Sequence, residues 1–316
     1  MPKLGRKPPV RTRPRLRLSP HIDTQVPPNP AMVDWLAAVR DWPMYLNDQL
    51  GDCTIAGVGH IIEALSTYGQ GQTVEITDQQ VLAAYEAVSG YDPATGQHDD
   101  GAVMQDVLNY WRKQGIGGHK ILAFAEVDVS RRAEVDAAIN VFGHVYLGFN
   151  FPAVAMRQFD QGLPWDVVAD DGGLAGGHAV NAGRYSSPDG NVTVVTWGQI
   201  QQMTDAFWDR YVDEAWVAIT PEWLDAAGHS PAGLDLYGLG EDLAQLTGGQ
   251  NPFPAPEPPG PPPGPPPPAP GPVPVADPDR AAAKAIRYYK QRPLHTRHDR
   301  EVLMRALTAW LHAKGL

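Results

Sequence analysis

The stretch Asn47-Asp48-Gln49-Leu50-Gly51-Asp52-Cys53-Thr54 leads straight into Ile55-Ala56-Gly57-Val58-Gly59-His60-Ile61-Ile62-Glu63-Ala64-Leu65. Ile55, Val58, Ile61, Ile62 and Leu65 fall at helical spacing, which predicts a helix over 54–68 that ends at Gly69. Cys53 then stands in the first turn, where unpaired N–H groups and the helix dipole favour a thiolate. It is the chain's one cysteine, so an intramolecular disulfide and a multi-cysteine zinc site are both excluded. A lone cysteine is most often a small buried hydrophobe. A helix N-terminus is instead where a nucleophile gains acidity and exposure together.

Working outward, Gly176-Gly177-His178-Ala179-Val180 follows some 125 residues downstream. A histidine that opens a strand after two glycines can be approached closely by another backbone, which makes His178 the candidate general base. Helices are expected at 31–40, at 77–90 behind a Thr-Asp start, at 102–114 up to Gly115, and at 130–142 capped by Ser130. After residue 142 the period shortens. Strands are expected at 144–150, 179–185, 192–198 and 215–219, with Pro188-Asp189-Gly190-Asn191 as a hairpin turn. Helices first and an antiparallel sheet afterwards is an α+β pattern.

Asn47 to Thr54, Gly176 to Val180, and Thr196-Trp197-Gly198, in that order, resemble the signature blocks of papain-like cysteine peptidases over about residues 40–220. The resemblance implies a helical left half holding the nucleophile helix and an antiparallel right half holding the histidine. It also implies an amide six residues before the nucleophile as an oxyanion donor. Here that residue is Asn47 where the family has Gln, and the backbone N–H of Cys53 would be its companion. Aligning Trp197-Gly198 with the family's Trp-Gly puts Val195 where the family's orienting Asn stands. Thr196 is next to it but on the other strand face, and Asp170 or Asp171 is the alternative partner for the imidazole. The pattern is also similar to proteins of actinobacteria and their phages.

Charge divides the chain further. Residues 1–17 hold seven Lys/Arg and no acid, and residues 276–316 hold nine Lys/Arg against four acids, which leaves nine bases and 32 acids for 18–275. The expected organisation is a basic, proline-rich arm with a short helix over 1–40, a papain-like domain over 41–250, a proline-rich linker over 251–276 and a basic helical segment over 277–316. The basic ends suit protein partners, whereas the acidic body disfavours nucleic acid. No apolar run is long enough for a membrane span. The N-terminus lacks the apolar core of a secretory signal, so cytoplasmic synthesis is expected, with virion association as one way out of the cell.

These readings converge on a cysteine peptidase or amidase working through Cys53 and His178 with Asn47, without metal or organic cofactor, on a peptide or protein substrate, cell-wall peptides included. The rival from another class is an inactive papain-like fold used as a structural or binding module, for instance in a phage particle. Acyl transfer by the same pair is a third.

Overall fold

The helix that begins at the cysteine is buried nearly all round, its polar residues Thr54, His60, Glu63 and Ser66 included. In the computed structural model, which describes residues 2–22, 29–186, 191–221 and 236–253, this helix, α1, spans Cys53–Gln70. Against it pack α2 (Asp78–Ser89) and α3 (Met104–Lys113). Ile55, Val58, Ile61, Ile62 and Leu65 share one core with Val81, Tyr85, Val107, Leu108 and Trp111. Thr77 caps α2 reciprocally with Gln80, as the Thr-Asp start suggested. The proline-rich linker and the helices expected at 279–291 and 297–314 lie outside the described residues, as do residues 187–190 of the hairpin turn.

On its other side α1 meets an antiparallel sheet. The strands are β1 (Met32–Asp34), β2 (Ala123–Glu126), β3 (Val145–Pro152), β4 (Leu174–Ser186), β5 (Asn191–Thr196), β6 (Gln199–Met203) and β7 (Val212–Ile219). They run in the order β2-β7-β3-β4-β5-β6, with β1 alongside the end of β4. Between the strands lie α4 (Arg132–Phe142), α5 (Ala153–Asp160) and α6 (Asp205–Tyr211), and α7 (Leu236–Thr247) follows. The far face of the sheet closes on a second core of Leu147, Phe149, Phe151, Trp165, Trp197 and Phe207.

Two local expectations are corrected. Residues 31–40 are not a helix: Met32–Asp34 pairs with Arg184–Ser186, and Asp34 turns its carboxylate back onto the N–H groups of Leu36 and Ala37. That side-chain turn is a local competitor to helix formation. Ser130 does not cap α4. Its N–H and hydroxyl both go to Asp128, and the helix starts two residues later.

The N-terminal arm lies on the body of the same chain. Leu16 and Leu18 are buried in the second core, and the Leu18 N–H donates to Glu126 O of β2 at 2.9 Å while the Glu126 N–H donates to Leu16 O at 2.7 Å. Arg13 pairs with Asp106 at 2.6 Å, Lys3 with Asp99 at 3.0 Å, and Arg15 with Glu126. Exposed or half-buried pairs of this kind add under about 1 kcal/mol each, so they hold the arm less firmly than the buried leucines and the main-chain bonds do.

Glu63 sets a pH limit on the helical half. It is 1% exposed and accepts a hydrogen bond from Tyr45 at 2.6 Å. Burial pushes its carboxyl up to about 8. The folded state therefore keeps a proton that the unfolded chain loses near pH 4.5, and stability falls as pH rises from there to about 8. Urea midpoints at pH 6.5 and 8 should show a loss of about 2 kcal/mol in the wild type that Glu63→Gln removes.

Candidate active site

The arm crosses the seam between helices and sheet directly over Cys53. Lys3 donates its N–H to Asn47 O (2.8 Å) and Lys7 to Ala102 O (2.9 Å), while Ala102 donates to Gly5 O (2.8 Å). From the opposite wall, Gly177 O accepts from Gly5 (3.2 Å) and Arg6 (3.0 Å), and the Trp197 indole donates to Lys3 O (3.2 Å). Arg6 and Ala102 thus form a parallel bridge. Such close main-chain approach needs residues without side chains. A Cβ on Gly5 would lie 1.7 Å from Gly51 O, and one on Gly177 would lie 2.3 Å from Arg6 O.

Cys53 starts α1 as expected but is 1% exposed. Burial pushes its thiol up to about 12, and the neighbouring Asp52 adds to this. The backbone of Ala179 and of Gly5, and the Arg6 charge, offset only part. Asp52 is itself wholly buried, and among the described residues neither of its carboxyl oxygens has a well-formed hydrogen bond, although the Asn47 amide lies beside it. Burial raises it well above the usual carboxylate range. With the arm seated the helix N-terminus therefore does not yield a thiolate, because desolvation outweighs the dipole.

His178 lies on β4, one residue before the Ala179 backbone that meets the thiol. It is fully buried, with Trp197 stacked on it at 4.4 Å and Phe149, Phe151 and Trp165 around it. Its Nε2 is 2.6 Å from Thr196 Oγ1. Burial, then the charges of His60 and Arg6, pull it down to about 3, so the ring is neutral. Nδ1 has no hydrogen-bond partner among the described residues, and no hydrogen bond there joins His178 to Cys53. The structure thus brings both residues to one junction without pairing them. Asn47, 2% exposed, donates its amide to Leu50 O at 3.1 Å and sits beside Asp52.

Thr196 is the partner that the sequence reading set aside. Val195 pairs with Asn181 and Val194 with Ala182, so Val195 shares the α1-facing side with Asn181, whose amide reaches His60 O. Thr196 falls on the face of His178. Asp171 is instead engaged by Tyr211 and Arg210, and Asp170 by the Gly172 N–H. Among the described residues no group of three His, Cys, Asp or Glu side chains is disposed to hold a metal ion.

This arrangement of helices and sheet has counterparts among solved structures. Xylellain, a cysteine protease from Xylella fastidiosa, superposes with a TM-score of 0.50 at 15% identity, covering 69% of this chain and 96% of that one. The fold is papain-like. A digestive procathepsin L 3 of Tenebrio molitor larval midgut is similar at a TM-score of 0.47 and 14% identity, covering 65% of this chain and 74% of its own. No family model matches the sequence, and no curated protein does. In this papain-like fold the helical half carries Cys53 and Asn47, and the sheet half carries His178, Thr196 and Trp197.

Proposed function

We propose that the chain is a thiol peptidase or amidase whose nucleophile is Cys53, held closed by its own residues 3–7. One observation carries the reading. The seat over the thiol grips an extended main chain from both walls, through backbone groups of Asn47, Ala102 and Gly177 that would serve a peptide with glycine at the place of Gly5. With the arm out, water reaches the thiol, which regains an ordinary acidity, while the imidazole keeps its aromatic neighbours. His178 Nδ1 then takes the thiol proton while Nε2–H donates to Thr196 Oγ1. The sulfur attacks the carbonyl carbon, the C–N bond breaks, and the imidazolium returns its proton to the leaving amine. Water then cleaves the thioester to a carboxylic acid and restores the thiol. Asn47 and the Cys53 N–H are the donors for the oxyanion. Peptides, isopeptides and cell-wall stem peptides are all within this substrate class.

The test is hydrolysis of a fluorogenic peptide amide by the full chain carrying Gly5→Val, which evicts the arm. Cys53→Ala and His178→Ala, each in that background, should lower kcat/KM by about 10⁴-fold. Turnover that survives Cys53→Ala sinks the reading.

The second reading, an inactive module with a permanent plug, is favoured by the aromatic cage around His178 and by an Nδ1 without a hydrogen-bond partner among the described residues. It expects the arm-evicted chain to be folded and inert.

A further inference from the structure

Within the seat, one side chain of the arm is read far more closely than the rest. Arg6 has a fully buried side chain between Glu214, itself buried, and Asp213. Its Nε and Nη2 each lie 3.2 Å from Glu214 Oε2, and Nη2 also bonds Asp213 Oδ1. Both acids are held by residues outside the arm: the Trp216 indole donates to Glu214 Oε1 at 2.9 Å, and the Asn150 amide to Asp213 Oδ2 at 3.2 Å. Space for the guanidinium comes from Gly148, where a Cβ would fall 2.5 Å from Arg6 Nε. Two carboxylates converging on a planar fork suit arginine better than the single ammonium of lysine.

The main-chain grips flanking residue 6 read no side chain beyond requiring glycine at position 5, whereas this pocket reads one. We infer that the pocket of Gly148, Asp213 and Glu214 is a specificity pocket, selecting peptides with an arginine next to the residue that lies over the Cys53 sulfur. This rests on the peptide-binding part of the proposed function, not on turnover. Arg6 is then the chain's own occupant of a site built for a class of ligand.

The experiment uses the full chain with Gly5→Val and Arg6→Ala to empty the seat and Cys53→Ala to prevent cleavage. A fluorescein-labelled peptide Lys-Leu-Gly-Arg-Lys-Pro-Pro is titrated by anisotropy at about 0.15 M salt. Alongside it run versions with citrulline or lysine in place of the arginine. The arginine peptide should bind at least about tenfold tighter than the citrulline one, a shape match lacking the charge. Asp213→Asn or Glu214→Gln should collapse that ratio. Equal binding of arginine and citrulline peptides, or no binding of either, overturns the inference. A second measurement needs no emptied seat: Arg6→Gln in the otherwise wild-type chain should speed Cys53 alkylation about tenfold or more, and an unchanged rate counts against the pocket. Arginine selectivity without hydrolysis would remove only the peptidase reading, whereas hydrolysis without arginine selectivity would remove only this one.

Discussion

Gly5→Val raises the rate of Cys53 alkylation by iodoacetamide at pH 8 by about 10³-fold. A valine cannot occupy position 5 of the seated arm, since even a Cβ there would stand 1.7 Å from Gly51 O, a backbone atom that cannot swing aside. Eviction has two effects on the thiol. It admits the reagent to a sulfur that is otherwise 1% exposed. It also restores solvation, the largest cause of the thiol's rise to about 12. A thiol at that value is about one part in 10⁴ thiolate at pH 8, against roughly a quarter for an ordinary one. The sign shows in the pH profile. Wild-type alkylation should climb about tenfold per pH unit well beyond pH 9, while the variant levels off near the ordinary thiol value or below it. Rates followed by mass spectrometry decide it. Identical profiles for the two proteins would mean that the arm does not control the thiol.

Thr196→Val in the arm-evicted chain should lower kcat by about 10²-fold, while Thr196→Ser keeps most of the activity. Thr196 Oγ1 is the partner of Nε2 at 2.6 Å. With the partner gone, nothing fixes the tautomer that leaves Nδ1 free to accept a proton, and the imidazole is held by its aromatic neighbours alone. Valine matches threonine in volume, so the loss isolates the hydroxyl. A buried ring nitrogen without a partner also costs about 1–3 kcal/mol of stability, readable as a lower urea midpoint. The response expected of a positioning residue is a fall in kcat with an altered pH profile. A change confined to KM would assign Thr196 a packing role.

Much of this was legible in the residues. The apolar spacing from Ile55 to Leu65 and the switch to β-rich runs after residue 142 both survive in α1 and in the strands β3, β4, β5 and β7. β6 was not legible: Gln199–Met203 buries only Gln201 and Met203, so it offers no apolar signal. β1 was misread because Val33, Leu36 and Ala37 imitate a helical face over a segment too short to decide, whereas the Asp34 turn and the pairing to β4 are tertiary facts. At the candidate site, the places of Cys53 at the start of a helix and of His178 on a strand were legible. Thr196 was not, because alignment on Trp197 sets position but not strand face, and face depends on the register with β4. Least visible of all was the fate of the basic arm. Its charge suggested partners elsewhere, yet the acids that receive Arg6 lie more than 200 residues further along the chain.

That separation orders the events of folding. Residues 3–7 leave the ribosome before every wall that grips them, and the last, Asp213 and Glu214 on β7, follows about 200 residues later. Loop closure over such a span is slow relative to local helix formation. The arm must therefore dock after the rest of the seam has assembled. Each newly made molecule passes through an interval in which its thiol is open to solvent, and docking of the arm ends that interval.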